Sequence, residues 1–425
     1  MKPSFYLETY GCWLNVGDSE IMASLLEEAG FSRASTLQEA STIIVNTCAV
    51  RAETERKMLR RLRELATLAQ QRGVRLVVAG CLATYRPALV ARAAPNASLL
   101  ATDAIELVVE AASSRGGLYA GDGVRRWMYL PRLKARGRIV VPIAVGCLGS
   151  CTYCVEPLTR GALRSYPPAE VVARVKEGVE GGAREVFLVA QDAAAYGLDI
   201  GSSLPSLLKE VCKVEGDFMV RVGMMEPGMT MRILDGLLEA YEDPKVYRFL
   251  HLPLQSGSDE VLRRVGRQYT VEGFMEVVKA YRSRFPEGCL ATDVMVGLPG
   301  ESEEDFQATL KVIEVVEPDK VHVARFTPRP LTPAASMKAP PEWVKKARSR
   351  VASKLAAEVA LKRNKRWLGR EVEVLTTTHV GGSTMCRSRS YKPVVVEGLL
   401  EPWSWTRVKV TSVHPYYLKA STHRG

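Results

Sequence analysis

The sequence predicts an α/β protein in three parts. These are an N-terminal parallel-sheet α/β domain (1–125), a central partial (β/α)6 barrel (126–366) and a small antiparallel β-barrel (367–425). Three observations predict this. Short apolar, β-branched runs alternate with helical stretches as far as residue 366, the pattern of parallel strands joined by helical crossovers. Cysteines stand just past the ends of several of these runs. From Trp367 the pattern changes to short strands and turns with no helix between them.

In the first part, Phe5-Tyr6-Leu7-Glu8-Thr9 leads into Gly11-Cys12, Thr42-Ile43-Ile44-Val45 into Asn46-Thr47-Cys48, and Val74 to Val78 into Gly80-Cys81. Helices are expected between them, one capped by Asp18 or Ser19 and ending at Gly30, the other from Glu53 to Gln71. The carboxyl ends of parallel strands open onto a common crevice. Cys12, Cys48 and Cys81 can therefore converge there, although cysteines are also commonly just small buried side chains. Residues 112–137 are rich in Gly, Arg and Ser and read as a linker.

The central part opens with strand-like Arg138 to Val145 and then Gly146-Cys147-Leu148-Gly149-Ser150-Cys151-Thr152-Tyr153-Cys154. Three thiolates at C-x3-C-x2-C on one loop suit a cubane iron–sulfur cluster with its fourth corner open. The alternative is a zinc knuckle completed by a distant ligand. Further strands are expected at 184–190, 218–223, 248–254, 290–296 and 320–326. Helices are expected near 168–180, 203–213, 230–241, 270–284, 302–316 and 341–366. A site at the carboxyl ends of such strands makes Tyr153, Gly181, Gly182, Gln191, Gln255 and Gly297 candidate cofactor contacts, with ordinary turns as the alternative. His251 and His322 read as satisfied polar residues on strands, and Cys212 as a core residue. Cys289 and Cys386 carry no functional reading.

Charge singles out the last part. Residues 341–425 hold 17 Lys and Arg against 6 Asp and Glu, while the other 340 residues balance at 41 of each. A confined basic segment is an electrostatic footprint for nucleic acid, or a solvated basic face. Arg387, Arg389, Tyr391 and Lys392 are the candidate RNA contacts, near Trp403, Trp405, Tyr416 and Tyr417, since cations pair with phosphates and aromatics stack on unpaired bases. Trp403 and Trp405 could equally fill the small barrel. Nine dispersed cysteines in 425 residues argue for reduced thiols or metal ligands rather than a disulfide scaffold. With no signal peptide and no apolar run of spanning length, a soluble cytoplasmic protein without membrane contact is expected.

Taken together, Tyr10-Gly11-Cys12 with Asn15 and Asp18-Ser19-Glu20, Asn46 to Arg51, Gly80-Cys81, Gly146 to Cys154, Arg160-Gly161, Ser165-Tyr166-Pro167, His251 to Gly257 and Asp293 to Glu301 resemble the methylthiotransferases of the radical S-adenosylmethionine (SAM) superfamily. The resemblance runs along nearly the whole chain and ends in a TRAM-like RNA-binding module. It implies that Cys147, Cys151 and Cys154 hold a 4Fe–4S cluster that binds and cleaves SAM. It implies that Cys12, Cys48 and Cys81 hold a second 4Fe–4S cluster that carries sulfur. Gly146-Cys147-Leu148-Gly149 and Arg387 to Pro393 resemble the archaeal and eukaryotic branch. This branch methylthiolates C2 of N6-threonylcarbamoyladenosine at tRNA position 37, in the anticodon stem-loop. An external electron donor, a sulfur source and a monomeric enzyme are implied. Prenylated adenosine in tRNA, a ribosomal-protein aspartate, and a non-enzymatic iron–sulfur RNA binder are the alternatives. Glu226, after Met224-Met225, stands where the family usually has Asn.

Overall fold

The computed structural model describes residues 3–121 and 137–422. The expected 125/126 join, and most of the expected linker, lie outside these residues.

The first part is a parallel six-stranded sheet in the order β2-β1-β3-β4-β5-β6. Its strands are β1 Ser4–Thr9, β2 Ser32–Arg33, β3 Thr42–Thr47, β4 Arg75–Gly80, β5 Ser98–Leu100 and β6 Leu118–Tyr119. Helices α1 Trp13–Glu28, α2 Ala52–Arg72, α3 Cys81–Tyr85, α4 Pro87–Ala93 and α5 Val108–Ser113 accompany it. Every residue of β3 is buried, as befits a central parallel strand covered on both faces. The sequence expects α1 to begin at Asp18 or Ser19, but it begins at Trp13, directly behind Cys12. Both cap-type residues are buried and spent inside the protein. Asp18 accepts from Arg160 at 2.6 Å, and Ser19 Oγ accepts from Asn46 Nδ2 at 3.0 Å.

The second part holds β7 Gly137–Pro142, β8 Ala144–Val145, α6 Glu156–Arg160, β9 Arg164–Ser165, α7 Pro168–Glu180, β10 Ala183–Val189, α8 Leu204–Cys212 and β11 Met219–Val222. It continues with α9 Pro227–Arg232, α10 Leu234–Ala240, β12 Phe249–His251, α11 Asp259–Arg264, α12 Val271–Arg284, β13 Cys289–Val296, α13 Glu303–Val316, β14 Lys320–Arg325 and α14 Glu342–Lys365. Parallel sheets β7-β10-β11 and β12-β13-β14 are joined by a bridge between Val220 and Val246. The result is an open six-stranded barrel. The helix expected over 230–241 is two short helices, broken at Ile233. Cys212 is core, as expected.

The third part is a closed five-stranded barrel in the order β15-β16-β17-β19-β18. Its strands are β15 Glu371–Val380, β16 Ser383–Ser388, β17 Pro393–Glu397, β18 Trp405–Val413 and β19 Leu418–Thr422. It is antiparallel except for the β17–β19 pair, which is parallel. Trp367, Val374, Cys386, Val394, Val408 and Leu418 fill it.

Two seams position the site. Helix α1 lies against β7, the edge strand of the open barrel. Leu14 packs with Val140, Val145, Phe187 and Val189, and a Cβ on Gly17 would come within 2.8 Å of Pro142. The small barrel docks at the amino ends of the core strands. Trp405 Nε1 donates to Asp217 at 3.1 Å, the Arg248 N–H to the Arg389 carbonyl at 2.9 Å, and Lys392 Nζ to Asp319 at 2.9 Å.

The last contact is a buried ion pair, with both side chains 4% exposed. Burial disfavours the Asp319 charge, but Lys392 and then Arg363 outweigh it and hold its pKa below the usual value. Lys392→Met should therefore cost less than the roughly 3–5 kcal/mol of a fully stranded buried charge, because Arg366 at 3.4 Å and Arg363 at 3.9 Å remain beside Asp319; denaturant unfolding would read the loss. Because the folded pKa is depressed, the pair's stabilisation is full above about pH 4. It is lost as pH falls through the folded value, so the deficit of the variant should shrink in acid.

Candidate functional site

The Cys147–Cys154 loop leaves the carboxyl end of β8 through Gly146. That glycine has φ +81°, and any Cβ on it would strike the Ala162 backbone, so the loop needs glycine there. The loop is folded around its sulfurs. Cys147 Sγ accepts the Gly149 N–H at 3.2 Å, and Cys154 Sγ accepts the Glu156 N–H at 3.4 Å. A Cβ on Gly149 would stand 3.2 Å from Cys147 Sγ and 3.6 Å from Cys151 Sγ, so that space is kept clear. Burial pushes the Cys147 thiol up to about 11 and the Cys154 thiol up to about 12. A metal bound here would have to displace protons.

The second triad is assembled by the fold. Cys12 precedes α1, Cys48 follows β3 and Cys81 opens α3, so all three lie at carboxyl ends of adjacent parallel strands. Asn15 ties the three loops together. Its Nδ2 donates to the Tyr10 carbonyl at 2.8 Å and the Thr47 carbonyl at 3.0 Å. Its Oδ1 lies 3.7 Å from Cys12 Sγ and 3.8 Å from Cys81 Sγ. Gly80, at φ +89°, leaves no room for a Cβ beside Asn46 and Thr47. Burial raises the pKa of Cys12 and Cys48 above the usual thiol value.

The two triads are coupled through α6, which follows Cys154. Arg160, at its end, reaches into the first domain and is 4% exposed. Its guanidinium donates to Asp18 at 2.6 Å and to Asn15 Oδ1 at 2.8 Å, and lies 3.6 Å from Cys81 Sγ. Glu156, at the start of α6, is near both triads. Its charge opposes ionisation of Cys12, Cys48, Cys81 and Cys154, and its own pKa is raised by burial.

A single zinc ion bonded at about 2.3 Å would hold tetrahedral sulfurs about 3.8 Å apart. Among the described residues, the group of three ligand-type side chains whose donor atoms all lie within 4.8 Å of one another is His251, Asp293 and His322; neither cysteine triad is drawn in so closely. Wide, glycine-cradled triads fit a cluster with several irons better than one ion.

The other expected contacts fare unequally. Gln191 lies past the end of β10 and donates to Glu156 at 3.3 Å, while its Oε1 is buried without a partner. The Tyr153 hydroxyl accepts from Arg267 at 2.7 and 3.1 Å. Gln255 sits at the carboxyl ends of β12 and β13 with φ +63°, its N–H on the Asp293 carbonyl at 2.8 Å.

Gly181 and Gly182 are misplaced as site residues. They precede β10, at the end of that strand opposite the cysteine loop, and a Cβ on Gly182 meets nothing within 4 Å. Gly297 is at a carboxyl end, but its missing side chain makes room for the stem of Lys345 from α14. Its backbone N–H donates to Glu301 at 2.6 Å.

The expected RNA set is also redistributed. Lys392 is the buried partner of Asp319, so it is not free for a phosphate. Arg389 is held by Glu373 at 2.7 Å and stacks on Trp405. Tyr391, at φ +61°, enters the open barrel, its ring 5.0 Å from both Tyr247 and Phe249. Trp403 and Trp405 face the second domain and do not fill the small barrel: Trp403 blocks any Cβ on Gly137.

Among residues the sequence reading did not single out, Glu156 and Arg267 carry no local signal, and Arg160 was visible only as part of a motif. Glu226 caps α9, accepting the Met229 N–H at 2.8 Å, a job its carboxylate does in place of an amide.

His251 Nε2 is 2.9 Å from Asp293 Oδ2, and the His322 ring is 5.8 Å from that of His251. Burial disfavours the Asp293 charge, but the His251 bond outweighs it and holds the pKa low. Burial lowers that of His322. The charge of Arg51, three residues past Cys48, also acts on Asp293 and His322.

Residues 141–313 match the Radical SAM superfamily, and residues 4–102 match "Uncharacterized protein family UPF0004". A Pyrococcus horikoshii protein named "Probable threonylcarbamoyladenosine tRNA methylthiotransferase" is 41% identical, across 95% of this chain and 96% of that one. The chain belongs to the radical SAM methylthiotransferase family. A Thermotoga petrophila relative named "tRNA-2-methylthio-N(6)-dimethylallyladenosine synthase" is 34% identical, across 94% of this chain and 91% of that one. The solved radical SAM methyltransferase TsrM from Kitasatospora setae shares the fold, with TM-score 0.60 at 16% identity over 79% of this chain and 75% of that one. As a methylthiotransferase-family enzyme the chain works with SAM and an iron–sulfur cluster, for which the Cys147–Cys154 loop is suited. No helix among the described residues is long and apolar enough to cross a membrane.

Proposed function

We propose that this enzyme transfers a methylthio group to C2 of N6-threonylcarbamoyladenosine at position 37 of tRNA, using two 4Fe–4S clusters. The observation that carries the proposal is the pairing of the two triads. One is set by local spacing and the other by three strand ends, and both face the ends of α6. Cys147, Cys151 and Cys154 would hold one cluster, and Cys12, Cys48 and Cys81 the other. When bound, the clusters supply the electron that cleaves SAM and the sulfur that is transferred. The chain's own residues position and shield. Asn15 and Arg160 fix the second triad against the first, Gln191 and Glu156 line the space between, and α1 closes the barrel's free edge against water. The threonylcarbamoyl reading is supported by the higher identity to the relative bearing that name. An external electron donor and a sulfur source complete the scheme, with a monomer acting on the anticodon stem-loop.

The test is anaerobic incubation of reconstituted enzyme with SAM, a reductant and anticodon stem-loops carrying either threonylcarbamoyl- or prenyl-adenosine, read by nucleoside mass spectrometry. A 2-methylthio product is expected on the first. Product on the prenyl loop alone would overturn the substrate. Absence of 5′-deoxyadenosine would overturn the enzymatic reading.

A further inference from the structure

The barrel interior contains cations that the cluster chemistry leaves unexplained. Arg221 on β11 is 8% exposed. Its guanidinium lies 5.2 Å from the Phe187 ring, 5.1 Å from Phe249 and 5.4 Å from Tyr391. Ring contacts use the face of a guanidinium and leave its N–H edge to be satisfied. Here Nε is buried with no acceptor. Arg387, from the small barrel, stacks 4.8 Å from the same tyrosine, and its Nε is likewise buried without an acceptor. Lys320 opens β14, two residues before His322, so the two share a face of the strand. Burial, then the charges of Arg387 and Arg221, hold the Lys320 pKa below its usual value.

The nearby carboxylates are already engaged. Glu185 accepts from Arg138 at 2.5 Å and from Tyr247 at 2.6 Å, and Asp293 from His251 at 2.9 Å. Burying Arg221 beside the half-buried Arg387 and the exposed Lys320 is costly, because the carboxylates that act on them, Glu185 and Asp293, are already engaged. An incoming anion would relieve that cost.

Location selects the anion. Arg221 on β11 and Lys320 on β14 stand one strand layer below His251, Asp293 and His322, and Arg387 reaches the same tyrosine from the small barrel. A backbone phosphate carries a sugar on each side and cannot thread between strands. A carboxylate at the tip of a flexible stem can, and the guanidinium fork suits it.

We propose that Arg221, Lys320 and Arg387 form the pocket for the free carboxylate of an amino acid joined to N6 of the target adenine. They would thus select a threonylcarbamoyl substituent over an uncharged prenyl one. The inference rests on the function proposed above and assigns its substrate choice to these residues. It also makes the small barrel part of the substrate pocket.

The test is fluorescence anisotropy with the reconstituted full chain and three anticodon stem-loops: threonylcarbamoyladenosine, its methyl ester, and unmodified adenosine. The wild type should bind the acid at least tenfold more tightly than the ester. Arg387→Met and Lys320→Met should shrink that ratio severalfold while changing affinity for the unmodified loop less than twofold, and Arg221→Met should abolish it. The ester arm needs no variant, so misfolding cannot mask the answer. Equal binding of acid and ester would overturn the pocket. So would variants that weaken all three loops in parallel, which would mark a phosphate site. Methylthiolation assayed on the same loops separates the failures. Product on both acid and ester with equal affinity refutes the pocket and leaves the proposed function standing, whereas no product on any loop refutes the function.

Discussion

Cys147→Ala is expected to abolish release of 5′-deoxyadenosine from SAM, while Cys48→Ala should retain a measurable part of it and form no methylthiolated nucleoside. The asymmetry follows from the two triads. Cys147 shares a loop with Cys151 and Cys154, folded around Gly149, and losing one of three ligands leaves too few corners for a cluster. Cys48 belongs to the other domain, where Asn15 and not the radical loop sets the geometry. Each variant should lose the iron of one site and keep that of the other, which iron analysis and electron paramagnetic resonance of the separate clusters would show. Methylthiolation by purified, reconstituted Cys48→Ala would contradict the division of labour.

Arg160→Met should be among the most damaging substitutions outside the cysteines. The Arg160–Asp18 pair is 1% and 3% exposed, and removing one member of so buried a pair costs about 3–5 kcal/mol. The loss should not be only thermodynamic. The same guanidinium holds Asn15 Oδ1 and lies beside Cys81 Sγ, so iron at Cys12, Cys48 and Cys81 should become labile to chelators while iron at Cys147, Cys151 and Cys154 persists. Asp18→Asn added to Arg160→Met should recover part of the stability, because the carboxylate that lost Arg160 no longer carries a charge, but not the chelator resistance. Equal lability of both sites would mean that Arg160 only holds the domains together.

What was legible in the sequence was what neighbours along the chain control. The C-x3-C-x2-C spacing places three thiols on one loop whatever the remainder does. The six core strands appear within a residue or two at the starts expected for them, because apolar runs with a period are local signals. The convergence of Cys12, Cys48 and Cys81 was also readable, through topology: parallel strands put their carboxyl ends on one edge.

Side chains whose role depends on a distant partner were misread. Asp18 and Ser19 have the chemistry of helix caps, yet Arg160 and Asn46 recruit them into the interior. Gly297 has the look of a ligand loop, yet the stem of Lys345 occupies the space it frees. Lys392 sits in a basic segment, yet Asp319, far away in sequence, neutralises it.

The sequence alone thus determined the fold class, the two groups of cysteines and the family, since each is written in local motifs or strand–helix alternation. Tertiary structure decided which charges are spent and which remain for a ligand. Whether a lysine or arginine meets a carboxylate depends on segments brought together from different domains, and no local period encodes that. Lys392 and Arg387, five residues apart on one small barrel, end respectively in a closed ion pair and in an open cationic pocket.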